Sequence, residues 1–203
     1  MSQIFGQPAA PVSLARAARR QLEPIAEAAP FLKDWPPLAA TRAATPRRLP
    51  VCQWLPGLAS SATPATEGLA SQVVAGAPML EWRQTYSADD FGAAFLERYG
   101  WTELIGLRGP IASERIACGF LMLGPRIDYP AHAHEAEELY LPLAGTALWR
   151  RGESDFVPRR PGAPIVHRSW EPHAVRTRGE PLLALYVWRG GELAAKSKII
   201  CRS

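Results

Sequence analysis

Two closely spaced histidines, followed by a glutamate and a tyrosine, are the residues of this chain best suited to chemistry. His132 and His134 are separated by one residue, Glu138 follows four residues later, and Tyr140 two residues after that. Alternate residues of a strand share one face, so each pair can point into the same interior. All four histidines of the chain lie between residues 132 and 173. Imidazole and carboxylate are ligands for borderline divalent metals, so the pattern predicts a metal site.

Short apolar segments separated by glycine and proline fill the chain from Glu114 onward. They recur at about the 8–12-residue spacing that is typical of sandwiches and barrels built from short strands. The predicted strands are Arg115–Leu123, Glu138–Leu143, Thr146–Arg150, Pro164–His167, Ala174–Thr177 and Leu182–Trp188. We therefore expect a small double-sheet β-barrel around the histidines, with His167 as a polar residue at the end of a strand rather than a ligand.

The N-terminal part of the chain has helical patterns instead. Ser13 is a candidate N-cap for a first helix, and Ile25–Lys33 predicts a second, shorter one. Residues 36–66 are rich in proline, alanine, serine and threonine, which predicts an irregular connection. We expect a helical N-terminal extension over residues 1–78 and a barrel domain over residues 79–203.

The junction between these two parts predicts a strand and then a helix. Met79–Tyr86 has a strand pattern, and Ser87 with Asp90 forms the signature of a capping box. An aromatic stripe then continues to Tyr99, and Gly100 is placed to end the helix.

Composition excludes several classes of function. The chain has 203 residues, enough for one well-packed domain with an extension, and no apolar run approaches the ~20 residues of a membrane span. The net charge of +4 comes from residues 1–60, which carry seven basic and three acidic residues. This excess is too dispersed for a nucleic-acid surface. We expect a small-molecule substrate, no nucleic-acid or membrane partner, and a monomer or homodimer.

The cysteines point to a reducing compartment. Cys52, Cys118 and Cys201 are odd in number and widely spaced, without a C-x-x-C pair. Such cysteines are typical of reduced thiols, and the N-terminus lacks the apolar core of a secretory signal. A cytoplasmic location is the resulting prediction, with Cys118 as a small core residue in an apolar strand.

The histidine segment resembles the first sequence motif of the cupins. In Gly124-PRIDYPA-His132-Ala-His134-EAE-Glu138-LYLPLA-Gly145, the H-x-H pair, the three-residue gap to Glu138 and the six-residue gap to Gly145 all fit. Gly124 lies two residues further upstream than the motif has it. The parts of the second cupin motif are present with an unusual separation, at Pro161-Gly162 and at Pro172-His173.

More specifically, the local sequence around these motifs is similar to that of the cupin-type dimethylsulfoniopropionate (DMSP) lyases. The similarity rests on Tyr129–Tyr140, Gly145–Trp149, Pro172–Thr177 and Trp82–Tyr86, and it covers roughly residues 79–190. It implies a mainly β cupin fold, that is, a double-stranded β-helix or jelly-roll barrel. It also implies metal-dependent cleavage of DMSP to dimethyl sulfide and acrylate.

The same resemblance implies a role for each site residue. His132, His134, Glu138 and His173 would hold one divalent ion, such as zinc, iron(II) or manganese. Tyr140 would be a catalytic tyrosine close to the metal, and Tyr129 a second tyrosine at the active site. Trp188 would line the substrate pocket. Because cupins carry out many reactions, the motif is stronger for fold and metal than for reaction.

Elementary chemistry is compatible with these roles. Removing a proton next to a carboxylate builds up negative charge, which a bound divalent ion neutralises. A free tyrosine, with a pKa of about 10, is not anionic at neutral pH, but a tyrosine beside a metal is shifted downward.

Two alternatives to a lyase remain. One is another cupin metalloenzyme, such as a dioxygenase or an isomerase of a small acid, and the other is a non-catalytic cupin that binds a small ligand. The pair Tyr129 and Tyr140 favours the lyase, since an oxygenase does not need a tyrosine base.

Overall fold

Two β-sheets packed face to face form the centre of the molecule, in a computed structural model that describes residues 10–40, 42–43 and 45–200. In chain order the strands are β1 (Trp82–Arg83), β2 (Tyr99–Gly106), β3 (Ile111–Ala112), β4 (Ile116–Leu123), β5 (Asp128–Ala133), β6 (Glu137–Ala144), β7 (Ala147–Arg151), β8 (Val157–Arg159), β9 (Ile165–His167), β10 (His173–Thr177), β11 (Leu182–Arg189) and β12 (Lys198–Ile199). The larger sheet has the order β1-β2-β4-β11-β6-β9, with β3 paired in parallel to β2. The smaller sheet has the order β12-β5-β10-β7-β8. The predicted mainly β, antiparallel double-sheet barrel is confirmed.

Most of the helices precede the barrel and cover one face of the larger sheet. The α-helices are α1 (Ala10–Leu22), α2 (Ala29–Leu32), α3 (Glu67–Gly76), α4 (Ala88–Phe91) and α5 (Ala93–Glu97). Short 3-10 helices span Ala26–Ala28, Pro50–Trp54, Leu58–Ser61 and Ala77–Met79. The prediction of Ser13 as an N-cap is wrong: α1 already includes Ala10, and Pro11 suits the first turn of a helix. The sequence patterns also missed α3.

Both faces of the larger sheet are buried, as strand β4 shows. Every residue of β4 is buried. Cys118, Phe120 and Met122 join the apolar cluster shared with the helices, whereas Leu121 and Leu123 join the cluster inside the barrel. A strand buried on both faces has a continuous apolar sequence, which explains the uninterrupted run that the pattern shows here. Cys118 is the core residue that was expected.

The junction before the barrel differs from the prediction. The capping box of Ser87 and Asp90 is present, but its helix α4 ends at Phe91. Gly92 has a φ of +79°, which separates α4 from the short helix α5. Tyr99 and Gly100 belong to strand β2, which pairs with β4. The spacing of the aromatic residues up to Tyr99 is compatible with a helix, but pairing with β4 makes Tyr99 and Gly100 part of a strand instead.

One glycine of the first motif has a clear structural reason. Gly145 has a φ of +78°, and a Cβ there would lie 1.9 Å from the carbonyl oxygen of Pro181. Only glycine fits this turn between β6 and β7. Among the helices in the described part of the chain, none has the length and apolar character that crossing a bilayer requires.

Candidate active site

Three histidines converge inside the barrel from neighbouring strands of the smaller sheet. His132 lies on β5, opposite His173 on β10, and His134 follows directly after β5. Their side chains are buried, and the potential ligand nitrogens of the three all lie within 4.8 Å of one another. Glu138 reaches the same place from β6 of the opposite sheet and is fully buried. The structure therefore brings together all four residues that the resemblance assigns to a metal.

Backbone carbonyl groups orient the three rings. In each of His132, His134 and His173, Nδ1 lies 2.8–2.9 Å from the carbonyl oxygen of a residue two positions away. A carbonyl oxygen can only accept a hydrogen bond, so each Nδ1 is assigned a proton and Nε2 is the atom of each ring that would face a metal ion. This is the arrangement that metal-binding histidines have in proteins.

Glu138 is held between the two sheets by its neighbours. Its Oε1 accepts a 2.6 Å hydrogen bond from Nε1 of Trp188, and its Oε2 lies 3.0 Å from Nε2 of His134. Nε2 of His173 is 3.2 Å from the same oxygen, but it has no hydrogen-bond partner among the described residues. Burial opposes the charge of Glu138, yet the contacts with His134 and His173 prevail and lower its pKa well below the ordinary range.

The histidine cluster fits a divalent metal ion. Burial first, and then charge on His173, lower the pKa of His132 well below its ordinary value, so this ring is neutral and its Nε2 can serve as a ligand. Nε2 of His173 is buried and has no hydrogen-bond partner among the described residues. Burying such an atom costs free energy unless another group, such as a metal ion, binds it. Three imidazoles and a carboxylate are a donor set that zinc, iron and manganese accept.

All five tyrosines of the chain lie in or beside one cavity of about 360 Å³. Tyr99, Tyr129, Tyr140 and Tyr186 line it, together with Glu138. The fifth, Tyr86, lies with its hydroxyl 3.5 Å from that of Tyr129. The cavity therefore adjoins the histidine cluster and has phenol groups on several of its walls.

The two tyrosines singled out in the sequence both adjoin the cluster. The ring of Tyr129 stacks on that of His132, with centroids 4.4 Å apart, and the ring of Tyr140 lies 6.5 Å from that of His173. Burial is the main cause that raises the pKa of both phenols well above 10, and the charge of Glu138 adds to it at Tyr140.

Trp188 forms part of the cavity wall, beside the cluster. Its ring lies 4.1 Å from that of His134, and its indole N–H donates to Glu138. Glu135 and Glu137, which follow His134, point away and bond to Glu192 N–H and to Arg189 on the surface. Successive residues of a strand face opposite sides, which accounts for this separation.

Other groups at the site were not predicted. His167 ends β9, as expected, but it is fully buried and its ring stacks on His173 at 4.1 Å. Trp101 and Glu103 of β2 line the cavity, as do residues of the segment Leu193–Ser197. The alternation of Tyr99, Trp101 and Glu103 is a usable strand signal, but the helical stripe before it obscured that signal. Nothing in the local sequence places Leu193–Ser197 at the cavity.

A double-sheet jelly-roll barrel with this cluster inside it defines the cupin class of proteins. Residues 31–184 match the family model described as dimethylsulfoniopropionate lyase. The DMSP lyase DddQ of Ruegeria pomeroyi is 36% identical over 148 residues, which are 72% of this chain and 73% of that relative. This chain therefore belongs to the DMSP lyase family, which makes it an enzyme of the lyase class.

Solved structures of the family agree over nearly the whole chain. The crystal structure of DddQ from Ruegeria pomeroyi superposes with a TM-score of 0.85 at 29% identity, covering 95% of this chain and 97% of that one. A chain from the crystal structures of the DMSP lyases RdDddP and RnDddQII has a TM-score of 0.82 at 33% identity, covering 95% and 98%. The similarity includes the helical layer as well as the barrel.

Proposed function

We propose that this enzyme cleaves DMSP to dimethyl sulfide and acrylate, with one divalent ion held by His132, His134, Glu138 and His173. The observation that carries this proposal is that Tyr140 and Glu138, which contacts His134 and His173 of the histidine cluster, line one cavity in a chain of the DMSP lyase family. When bound, the ion supplies positive charge that neutralises the substrate carboxylate and favours ionisation of a nearby tyrosine.

The reaction is an elimination, and the base is Tyr140. Its phenolate oxygen takes a proton from the carbon next to the carboxylate, and the C–H electron pair becomes the new C=C bond of acrylate. The bond between the β-carbon and sulfur breaks, and its electron pair leaves with sulfur as neutral dimethyl sulfide. The proton on Tyr140 then passes to solvent. In the chain by itself burial and Glu138 raise the pKa of Tyr140, so the base depends on a neighbouring cation.

The remaining aromatic residues of the cavity position the substrate. Tyr129 stacks on His132 and places a second hydroxyl beside the cluster. Trp101, Tyr186 and Trp188 line the cavity and offer aromatic faces to the dimethylsulfonium group. Such contacts with a cation stabilise it by about 0.5–2 kcal/mol.

The direct test is headspace dimethyl sulfide from purified protein supplied with DMSP. We expect release from metal-loaded protein, loss of release after chelation, and recovery with zinc, iron(II) or manganese added singly. Acrylate should accumulate in equal amount. Metal-loaded protein that releases no dimethyl sulfide, or that consumes oxygen with another small acid, would overturn the proposal in favour of a different cupin reaction.

A further inference from the structure

We propose that the carboxylate of Glu103 recognises the cationic end of the substrate and so determines the specificity of this enzyme for a sulfonium acid. This inference rests on the proposed function, since it assigns the sulfonium end of the same substrate. It concerns a side chain on the larger sheet, distinct from the histidine cluster.

Glu103 faces the same cavity as the proposed base. It is only 7% exposed and lines the cavity together with Tyr140. Paired residues of four adjacent strands form one row across the larger sheet. The row runs from Glu103 on β2 through Gly119 on β4 and Tyr186 on β11 to Tyr140 on β6. The side chains at the two ends of this row line the same cavity, so a substrate held there has an acid on one side and the proposed base on the other.

The chain makes room for Glu103 by a glycine on the neighbouring strand. The pairing of β2 with β4 shifts register between Glu103 and Ile105, which marks a bulge. At this point a Cβ on Gly119 would lie only 1.7 Å from the carbonyl oxygen of Thr102. The bulge that follows Glu103 therefore requires glycine at position 119, while strand alternation with Tyr99 and Trp101 points Glu103 toward the cavity.

The Glu103 carboxylate has one oxygen left for a ligand. Oε1 accepts hydrogen bonds from the backbone N–H groups of Arg108 and Gly109, at 2.6 and 2.7 Å. Neither of these bonds uses Oε2. Glu138 is the other acidic residue among the described ones that line the cavity, and both of its oxygens contact Trp188 or the histidines. Glu103 is therefore the carboxylate that remains for a cation.

The surroundings of Glu103 suit a sulfonium group. Trp101 lies two residues earlier on the same strand and Trp188 lies across the sheet, and both line the cavity. An aromatic wall with one carboxylate is an effective site for a soft, weakly hydrated cation. Burial is the main influence on Glu103 and raises its pKa, although its backbone hydrogen bonds and the charges of Arg108 and Arg83 offset part of that rise.

The two arginines are engaged elsewhere. Arg108 is exposed and donates a hydrogen bond to the carbonyl oxygen of Ala194, and Arg83 forms a 2.8 Å ion pair with Glu81. Both also line the cavity, where the guanidinium group of Arg108 lies 5.9 Å from the centroid of the Trp101 ring, and because Arg108 is exposed, water screens its charge. A substrate cation in the cavity is in a less polar place and interacts more strongly with Glu103.

The test is Glu103→Gln combined with two unreactive ligands of the same shape. One is a propanoate that ends in a trimethylammonium group, and the other is its isostere ending in a neutral tert-butyl group. Glutamine keeps an oxygen for the N–H groups of Arg108 and Gly109, so only the charge is lost. We expect metal-loaded Glu103→Gln to bind the cationic ligand about ten- to a hundredfold more weakly and the neutral one unchanged, measured by titration calorimetry. The KM for DMSP should rise by a similar factor, more than kcat falls.

Glu153→Gln is the matched control, because it removes the same charge from an exposed residue outside the cavity lining. We expect it to bind both ligands like the wild type. Equal weakening of both ligands in Glu103→Gln would mean that Glu103 only supports its loop, and unchanged binding of both would mean no contact with the cation; either overturns the inference. Failure of the proposed function is distinguishable, because wild-type protein would then release no dimethyl sulfide whatever the ligands do.

Discussion

At the scale of single residues, the environment separates groups of the same chemical type. Tyr129 packs its ring on His132, whereas Tyr140 sits on the strand of Glu138 and adjoins the cavity. Burial raises the pKa of both phenols. His167 and His173 stack on each other, yet only His173 belongs to the cluster whose nitrogens converge. The proposed roles of these tyrosines and histidines therefore depend on where each side chain lies in the barrel, and not on residue type alone.

The role of Tyr140 is tested by Tyr140→Phe. We expect dimethyl sulfide release to fall by about 10²–10⁴-fold, the usual contribution of a positioned base, because only the hydroxyl is lost. Circular dichroism and metal content should stay close to those of the wild type. Tyr99→Phe removes another buried hydroxyl, one bonded to Thr85, and should lower the rate less than tenfold. Wild-type release from Tyr140→Phe would show that the base lies elsewhere.

The metal ligands are tested by elemental analysis of tag-free protein. We expect one divalent ion per chain in the wild type, and a loss of most of it in His134→Ala and His173→Ala, since each removes an imidazole from the cluster. His167→Gln is the matched control, because His167 is an equally buried histidine outside the converging set. It should keep its metal. Full metal content in His134→Ala or His173→Ala would contradict the assignment.

At the scale of elements, the site depends on strands from both sheets meeting at fixed registers. β5 and β10 place His132 opposite His173, and β6 and β11 place Glu138 opposite Trp188. Because the side-chain period of a strand is two, a slip of one residue in any of these pairs would turn a site residue out of the barrel. The bulge in β2 directly follows Glu103, and it depends on Gly119.

We therefore expect Gly119→Ala to destabilise the fold by about 1–3 kcal/mol or more, because its methyl group would overlap the backbone of Thr102. Urea denaturation measures the change. Gly68→Ala, in helix α3, is the control: a Cβ there meets nothing within 4 Å, and alanine favours the helix, so stability should stay the same or rise by up to about 1 kcal/mol. Equal stability of the two variants would remove the case for a required bulge.

At the scale of the whole molecule, the helices and the larger sheet share one apolar core. Leu14 and Leu22 of α1 belong to the same buried cluster as Phe120 of β4 and Leu185 of β11. The helical layer covers the face of the sheet that does not line the barrel. The N-terminal part thus stabilises the strands that carry the site, although it supplies none of the proposed ligands.

Leu22→Ala tests this shared core. Leu22 is fully buried, and its truncation leaves a cavity, so we expect a loss of about 2–5 kcal/mol of unfolding free energy in a single cooperative transition. Glu23→Ala changes the next residue, which is exposed and pairs with Arg19 at 3.4 Å, and should cost no more than about 0.5 kcal/mol. If Leu22→Ala instead melted the helices in a separate, earlier transition, the two parts would be independent.

The sequence by itself determined the barrel, the grouping of His132, His134 and Glu138, and the family. These features depend on short-range spacing: strand alternation, glycine and proline turns, and a motif contained within Gly124–Gly145. The assignment of His173, rather than His167, as a ligand came from the family resemblance. The ring of His173 lies close to those of His132 and His134 because β10 pairs with β5. Local patterns therefore carried most of the proposed metal site.

Only the tertiary structure decided the rest of the cavity. Tyr99–Glu103 forms a strand because β4, about 20 residues further along the chain, offers it hydrogen bonds, and the preceding aromatic spacing had suited a helix. Glu103 lines the cavity beside a bulge that Gly119 of that partner strand permits. Leu193–Ser197 reaches the cavity on its way to β12, which pairs with β5. Each of these positions is set by the energy of contacts between residues that are far apart in the chain. A pattern of neighbouring residues cannot predict such contacts.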